Sequence, residues 1–239
     1  MVATNLCGNS LLDARSDNDR ERTAPGMQIL RLRRRELTHE RGDRLRHVDF
    51  PIDAILSVVA TFLNGDVCDV GTVGREGFVE SDAALDSDHA RRTSFCQVAG
   101  RVARMPVDVF RQEMRSSASF ARIVRRNLSA RLYTSEQFTA CNLKHQLDER
   151  CATWLLMTRD RAGRNDFLIT HDLLSIMLGV RRAGVSTAAA ALQRIGAIEY
   201  HRGKVVVLDE ALLEQAACEC YATSTNAYTK SLRGGEDTD

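Results

Sequence analysis

The run Leu168-Ile-Thr-His-Asp-Leu-Leu-Ser-Ile-Met-Leu-Gly179, followed across Val180 by Arg181-Arg-Ala-Gly-Val-Ser-Thr-Ala-Ala-Ala-Ala-Leu-Gln-Arg-Ile195, decides the fold. Thr170 stands where a helix N-cap belongs, its hydroxyl placed to accept from an amide one turn on. Leu173, Leu174, Met177 and Leu178 give a short helix its apolar side, and Gly179 breaks it. Val180 then points inward at the turn. In the second segment Val185, Ala189, Leu192 and Ile195 recur at helical spacing and are expected to be buried. Two short helices joined by a few residues around a glycine predict a helix-turn-helix.

The polar side of the second helix points to a ligand. Arg181, Arg182, Ser186 and Thr187 lie at or near its N-terminus, the part of a recognition helix that enters a major groove. Arginine can bond guanine with two donors, and Ser or Thr can meet a base or a phosphate. Ala183, Gly184 and Ala188 are small enough to let the helix backbone come close. Beyond it, Gly196-Ala-Ile-Glu-Tyr200 and Lys204-Val-Val-Val-Leu208 flank Arg202-Gly203, a hairpin wing whose tip carries His201, Arg202 and Lys204 for phosphate. A charged helical hairpin without a ligand would need none of this order. The candidate DNA contacts are Thr170, His171, Arg181, Arg182, Ser186, Thr187 and Arg202.

Upstream, residues 107–161 hold neither Pro nor Gly, so nothing punctuates a helix there. Phe120, Val124, Leu128, Leu132, Ser135 and Phe138 fall on one helical face. That narrow stripe could lie on its own domain or pair with a second copy of itself. Pairing is the stronger reading, and Phe120, Val124, Leu128, Leu132 and Ser135 become the expected dimer seam. Leu147, Cys151, Trp154 and Leu155 begin a second helix.

Between Met27 and Met105 the signals are short strands and turns. Ile55-Leu-Ser-Val-Val-Ala-Thr-Phe-Leu63 is β-branched and apolar, Asn64-Gly65 reads as a two-residue hairpin turn, and Asp66–Val70 alternates as the returning strand. Thr93–Val98 and Val102–Met105 form a further pair around Ala99-Gly100. An antiparallel roll or sandwich is expected. Residues 1–26 show little periodicity and read as a mobile tail, and residues 223–239 are set apart as a C-terminal tail.

Net charge is +1, but residues 159–204 hold eight Lys/Arg against four Asp/Glu. Such a local excess attracts phosphates even when the total is near neutral. No apolar run is long enough to span a bilayer, and no basic-then-apolar leader opens the chain, so no membrane partner and a cytoplasmic setting are expected. The seven Cys are odd in number and scattered, which argues against a disulfide framework. Cys218-Glu219-Cys220 is the one close pair; no second pair or nearby His completes a zinc set, so no metal site is expected. Walker, Gly-x-Ser-x-Gly and His-Glu-x-x-His motifs are absent, and no catalytic residue is nominated.

These residues resemble the cyclic-AMP receptor protein/FNR (Crp/Fnr) family of bacterial regulators over about residues 27–221. The likeness rests on Arg41-Gly-Asp-Arg-Leu-Arg-His-Val-Asp-Phe-Pro51, Asn64-Gly-Asp66 and Val73-Gly-Arg-Glu-Gly-Phe78. It continues in Leu147–Leu156, Thr170–Leu192 and Ala217-Cys-Glu-Cys-Tyr221. It implies an α+β chain: an N-terminal antiparallel β-roll of the cyclic-nucleotide-binding kind (27–115), a long dimerisation helix (116–144), and a C-terminal winged helix-turn-helix (145–222). It implies a homodimer on an inverted-repeat duplex site, with RNA polymerase as a further partner. By position Thr170 would contact phosphate and Arg182 a base. Ala183 and Thr187 replace an acidic and an Arg base-reader, so the half-site should differ from that of the best-known members. In nucleotide-binding members a Glu holds ribose and an Arg-Ser/Thr pair the cyclic phosphate; here Glu76, Arg92 and Thr93 are the nearest equivalents. Asp82, Asp86 and Asp88 lie between them, unfavourable beside a phosphate. A lone Cys7 cannot supply the Cys-rich N-terminus of the cluster-binding branch, and the effector or cofactor stays open. The competing reading is a nucleotide-type signalling module whose C-terminal domain binds protein.

Overall fold

The computed structural model describes residues 8–233; Cys7 and the outermost parts of both expected tails lie outside them. The chain opens with two short helices, α1 (Ser10–Asp13) and α2 (Asp17–Thr23). Seven strands follow: β1 (Gln28–Leu32), β2 (Leu37–His39), β3 (His47–Pro51), β4 (Ile55–Thr61), β5 (Val67–Val73), β6 (Thr93–Val98) and β7 (Gly100–Pro106). They form two antiparallel sheets, ordered β1-β7-β3 and β2-β6-β4-β5. The apolar faces close on each other, and Phe50, Phe78, Phe110 and Phe120 interlock with ring centroids 5.6 to 6.3 Å apart.

Residues 10–26 correct the expected mobile tail. Leu11 and Leu12 are fully buried in the same core as Phe50 and Phe120. Asn9 fixes the entry: its Oδ1 caps α1, and its Nδ2 donates to the carbonyls of Pro51 (2.8 Å) and Gly77 (2.9 Å). Two leucines and one amide are too short a pattern for periodicity to register, yet they suffice to anchor the segment. The β4–β5 connection is also longer than an Asn-Gly turn. Strand pairing stops at Thr61↔Val67, and a loop from Phe62 to Asp66 closes it, with Gly65 at φ +85°. Phe62 and Leu63 find no core to cover them and stand exposed at the tip.

The helical region breaks first at Ser117, and again at His145-Gln146. Ser117 separates α3 (Val107–Ser116) from α4 (Ala118–Lys144), and its Oγ accepts from the Phe120 amide as the cap of α4. The expected dimer seam does not survive as one stripe. Phe120 and Val124 are fully buried in the roll's own core and Leu128 leans on it, whereas Leu132 (62% exposed) and Ser135 face solvent. The first turns of α4 are therefore spent on this chain rather than on a second copy.

After α4 come α5 (Leu147–Ala162), β8 (Asp166–Leu168), α6 (His171–Leu178), α7 (Arg182–Arg194), β9 (Ile198–His201), β10 (Lys204–Val207), α8 (Glu210–Ala216) and α9 (Cys220–Arg233). The three strands form a sheet ordered β8-β10-β9. Residues 223–233, expected as tail, continue α9, which packs along α4; Ser224 is buried and Leu232 reaches the roll's core. Among the described residues no helix is long and apolar enough to cross a membrane.

Candidate nucleic-acid interface

The helix-turn-helix forms as its sequence predicts. Thr170 caps α6, its Oγ1 accepting from the Leu173 amide at 3.2 Å. Gly179 ends the helix at φ +65°, a left-handed conformation that suits a residue without Cβ. Val185 and Leu192 are buried in a core shared with Leu174 of α6 and Leu155 of α5, and Ala189 is buried as well. Ile195, expected among them, is 48% exposed because α7 ends one residue earlier.

Arg181, Arg182, Ser186 and Thr187 all stand exposed on the outer side of α7. Arg182 reaches Asp172 at 3.5 Å, with both side chains about two-thirds exposed. A pair so wetted is worth little, so its guanidinium can exchange to another anion. Ser186 Oγ lies 3.0 Å from His171 Nδ1, and the His171 ring meets Tyr200 edge-on at 4.5 Å. Tyr200 in turn donates to the Ile169 carbonyl at 2.7 Å, tying the wing to the residue that precedes the Thr170 cap. Partial burial, then the charge of Arg182, holds the His171 pKa below its ordinary value.

Two details revise the sequence reading. A Cβ on Gly184 would meet Leu147 at 2.9 Å, so this glycine allows α7 to approach α5 rather than DNA. Ala188 is likewise buried, which leaves Ala183 as the small residue on the open side. At the wing, His201↔Lys204 pairing makes Arg202-Gly203 a two-residue turn with φ +48° and +77°. Lys204 forms an exposed ion pair with Asp166 at 3.1 Å, while Arg202 extends from the tip.

The three effector candidates are not gathered. Glu76 Oε1 accepts from Arg161 Nε of α5 at 2.7 Å and from the Gly74 amide at 3.1 Å. A Cβ on Gly74 would strike the Arg161 stem at 2.5 Å, so the Val73–Phe78 motif docks α5 onto the roll here. Thr93 pairs beside Val59, accepts from the Arg41 amide, and carries exposed Arg92 away from Glu76. A cavity of about 710 Å³ lies instead between β5, α4, α5 and α6. Asp69 Oδ1, Thr134 Oγ1 and Trp154 Nε1 line it as buried polar atoms without a protein partner. Burial pushes the Asp69 carboxyl up to about 7.

The expectation of no metal set also needs correction. The fold carries Cys141 and His145 from the end of α4 to Cys218 and Cys220, and all four donor atoms lie within 4.8 Å of one another. A separation of 77 residues between Cys141 and Cys218 hid the grouping from any local pattern.

Residues 149–216 match the Crp-like helix-turn-helix domain. A CRP-family transcriptional regulator of Thermus thermophilus is 21% identical with a TM-score of 0.66, over 79% of this chain and 96% of that one. FixK2 of Bradyrhizobium japonicum is 14% identical with a TM-score of 0.66, over 80% and 98%. The c-di-GMP-responsive global regulator CLP of Xanthomonas campestris is 16% identical with a TM-score of 0.59, over 81% and 100%. No protein of curated function matches the chain.

Proposed function

We propose, from a Crp-like helix-turn-helix domain carried on a Crp/Fnr-type transcription-regulator fold, that this chain is a sequence-specific DNA-binding regulator acting as a homodimer. It would work in the cytoplasm on an inverted-repeat duplex, with RNA polymerase as partner and without enzymatic chemistry. The observation that carries this reading is the open N-terminal side of α7, where Arg181, Arg182, Ser186 and Thr187 are exposed beside the Arg202 wing tip. Thr170, at the start of α6, and His171, beside Ser186, would contact phosphate. A small-molecule effector would enter the cavity beside Asp69, Arg131 and Trp154 rather than the Glu76, Arg92 and Thr93 set. The dimer seam moves to the exposed side of α4 marked by Leu132, Tyr133 and Leu143.

Selection of bound sites from a random duplex pool tests the reading. Enrichment of an inverted repeat with half-sites about one helical turn apart is expected. Arg182→Ala should then cost about 1–3 kcal/mol and relax preference at one base position. A variant that keeps full discrimination removes α7 from the interface. Failure to enrich any sequence, with or without candidate nucleotides, favours a C-terminal domain that binds protein.

A further inference from the structure

The end of α4 and the start of α9 meet at a buried cluster that DNA binding does not use. Cys141, Cys218 and Cys220 are all buried there, with Phe138 packed against them. Cys141 and Cys218 sulfurs stand 3.6 Å apart. His145 turns Nδ1 inward, 3.4 Å from the Cys141 sulfur and 3.6 Å from that of Cys220. Zinc–sulfur bonds near 2.3 Å and zinc–nitrogen bonds near 2.0 Å at tetrahedral angles require sulfur–sulfur spacings of about 3.8 Å and nitrogen–sulfur spacings of about 3.5 Å. One sulfur–sulfur and two nitrogen–sulfur spacings are close to those values, and all four donor atoms stay within 4.8 Å of one another. An iron–sulfur cluster would interpose several atoms and hold its ligands farther apart.

Polar neighbours surround the donor atoms. His145 Nε2 lies 3.2 Å from the Glu219 carboxylate, an acceptor that would hold a proton on Nε2 and leave the Nδ1 lone pair to a metal. Gln137 Nε2 donates to the Cys220 sulfur at 3.2 Å, and Thr153 Oγ1 stands 3.1 Å from that of Cys218. Among the described residues, the other buried cysteines, Cys96 and Cys151, belong to no such group of donors.

We propose that Cys141, His145, Cys218 and Cys220 bind one zinc-class divalent ion as a closed Cys₃His site. Three thiolates and one imidazole select a borderline-soft metal over magnesium or calcium. With four protein ligands no position remains for substrate, so the ion is structural or regulatory. It would clamp α9 to the end of α4, at the joint between the long helix and the DNA-binding domain, and its loss would loosen that joint.

The test uses the full chain purified under reducing conditions with zinc in the medium. Elemental analysis should give about one zinc per chain. Titrating metal-stripped protein with cobalt should give the visible absorption of a tetrahedral ion, with thiolate charge transfer, saturating at one equivalent. Cys218→Ser/Cys220→Ser should abolish both signals, while Cys68→Ser leaves them intact. Glu219→Ala should weaken cobalt binding about tenfold. His145→Cys should retain the metal and strengthen the charge-transfer band, a rescue that mere unfolding cannot mimic. Sub-stoichiometric zinc together with no cobalt spectrum in the unmodified chain would overturn the proposal. So would full metal retention in the double serine variant. A Cys141–Cys218 disulfide that forms in place of metal binding would overturn it in favour of a redox pair.

Discussion

The two halves of α4 use the same helical periodicity for different ends. From Phe120 to Asn127 the helix is bound into its own roll: Phe120 and Val124 fill the phenylalanine core, and Asn127 Nδ2 donates to the Glu76 carbonyl at 2.7 Å. From Leu128 onward its sides diverge. One meets α9 through Thr134 and Cys141, one faces the cavity through Arg131 and Phe138, and one leaves Leu132, Tyr133 and Leu143 to solvent. A continuous apolar stripe thus records where a helix can be covered, and not by what.

Substitutions sharpen that contrast. Phe120→Ala should cost the most, about 3–5 kcal/mol of folding stability in chemical denaturation, since it opens a cavity among four rings. A loss below 1 kcal/mol would place the residue outside the core. Asn127→Ala should cost about 1–3 kcal/mol by orphaning a partly buried carbonyl, with no change in oligomeric state. On the cavity side the effect depends on pH. Burial raises the Asp69 pKa from 3.8 to about 7. A folded-state pKa above the unfolded one favours folding at low pH, and that contribution fades as pH rises through about 7. Asp69→Asn should remove this decline, so the variant gains up to about 4 kcal/mol on the parent at pH 8 relative to pH 4. Equal slopes for both proteins would mean that the carboxylate is solvated. Leu132→Arg should change folding least, within about 0.5 kcal/mol, yet convert dimers to monomers in sedimentation. An intact dimer would exclude this side of α4 as the seam.

What the sequence disclosed follows from distance along the chain. Thr170, Gly179, Val185 and Leu192 specify caps, turn and core within one short stretch, so the helix-turn-helix could be read residue by residue. The roll was legible as alternating strands with turns, though not in the length of its Phe62–Asp66 loop. Residues 10–26 were missed because Leu11, Leu12 and Asn9 act through partners such as Pro51 and Gly77. The Cys₃His group was missed for the same reason. Glu76 misled differently: its motif is intact, but its carboxylate is engaged by Arg161 from another part of the chain.

Arg202 holds the wing tip at φ +48°, a conformation that asparagine or glycine adopts more readily. Selection for folding alone would drift toward those residues, because nothing in the hairpin itself rewards a guanidinium at that point. If the wing reads phosphate, a mild local handicap has been kept in exchange for an exposed charge at the tip of the wing. Sequences that lose the DNA partner should therefore show it first at this turn, as a relaxation toward Asn-Gly.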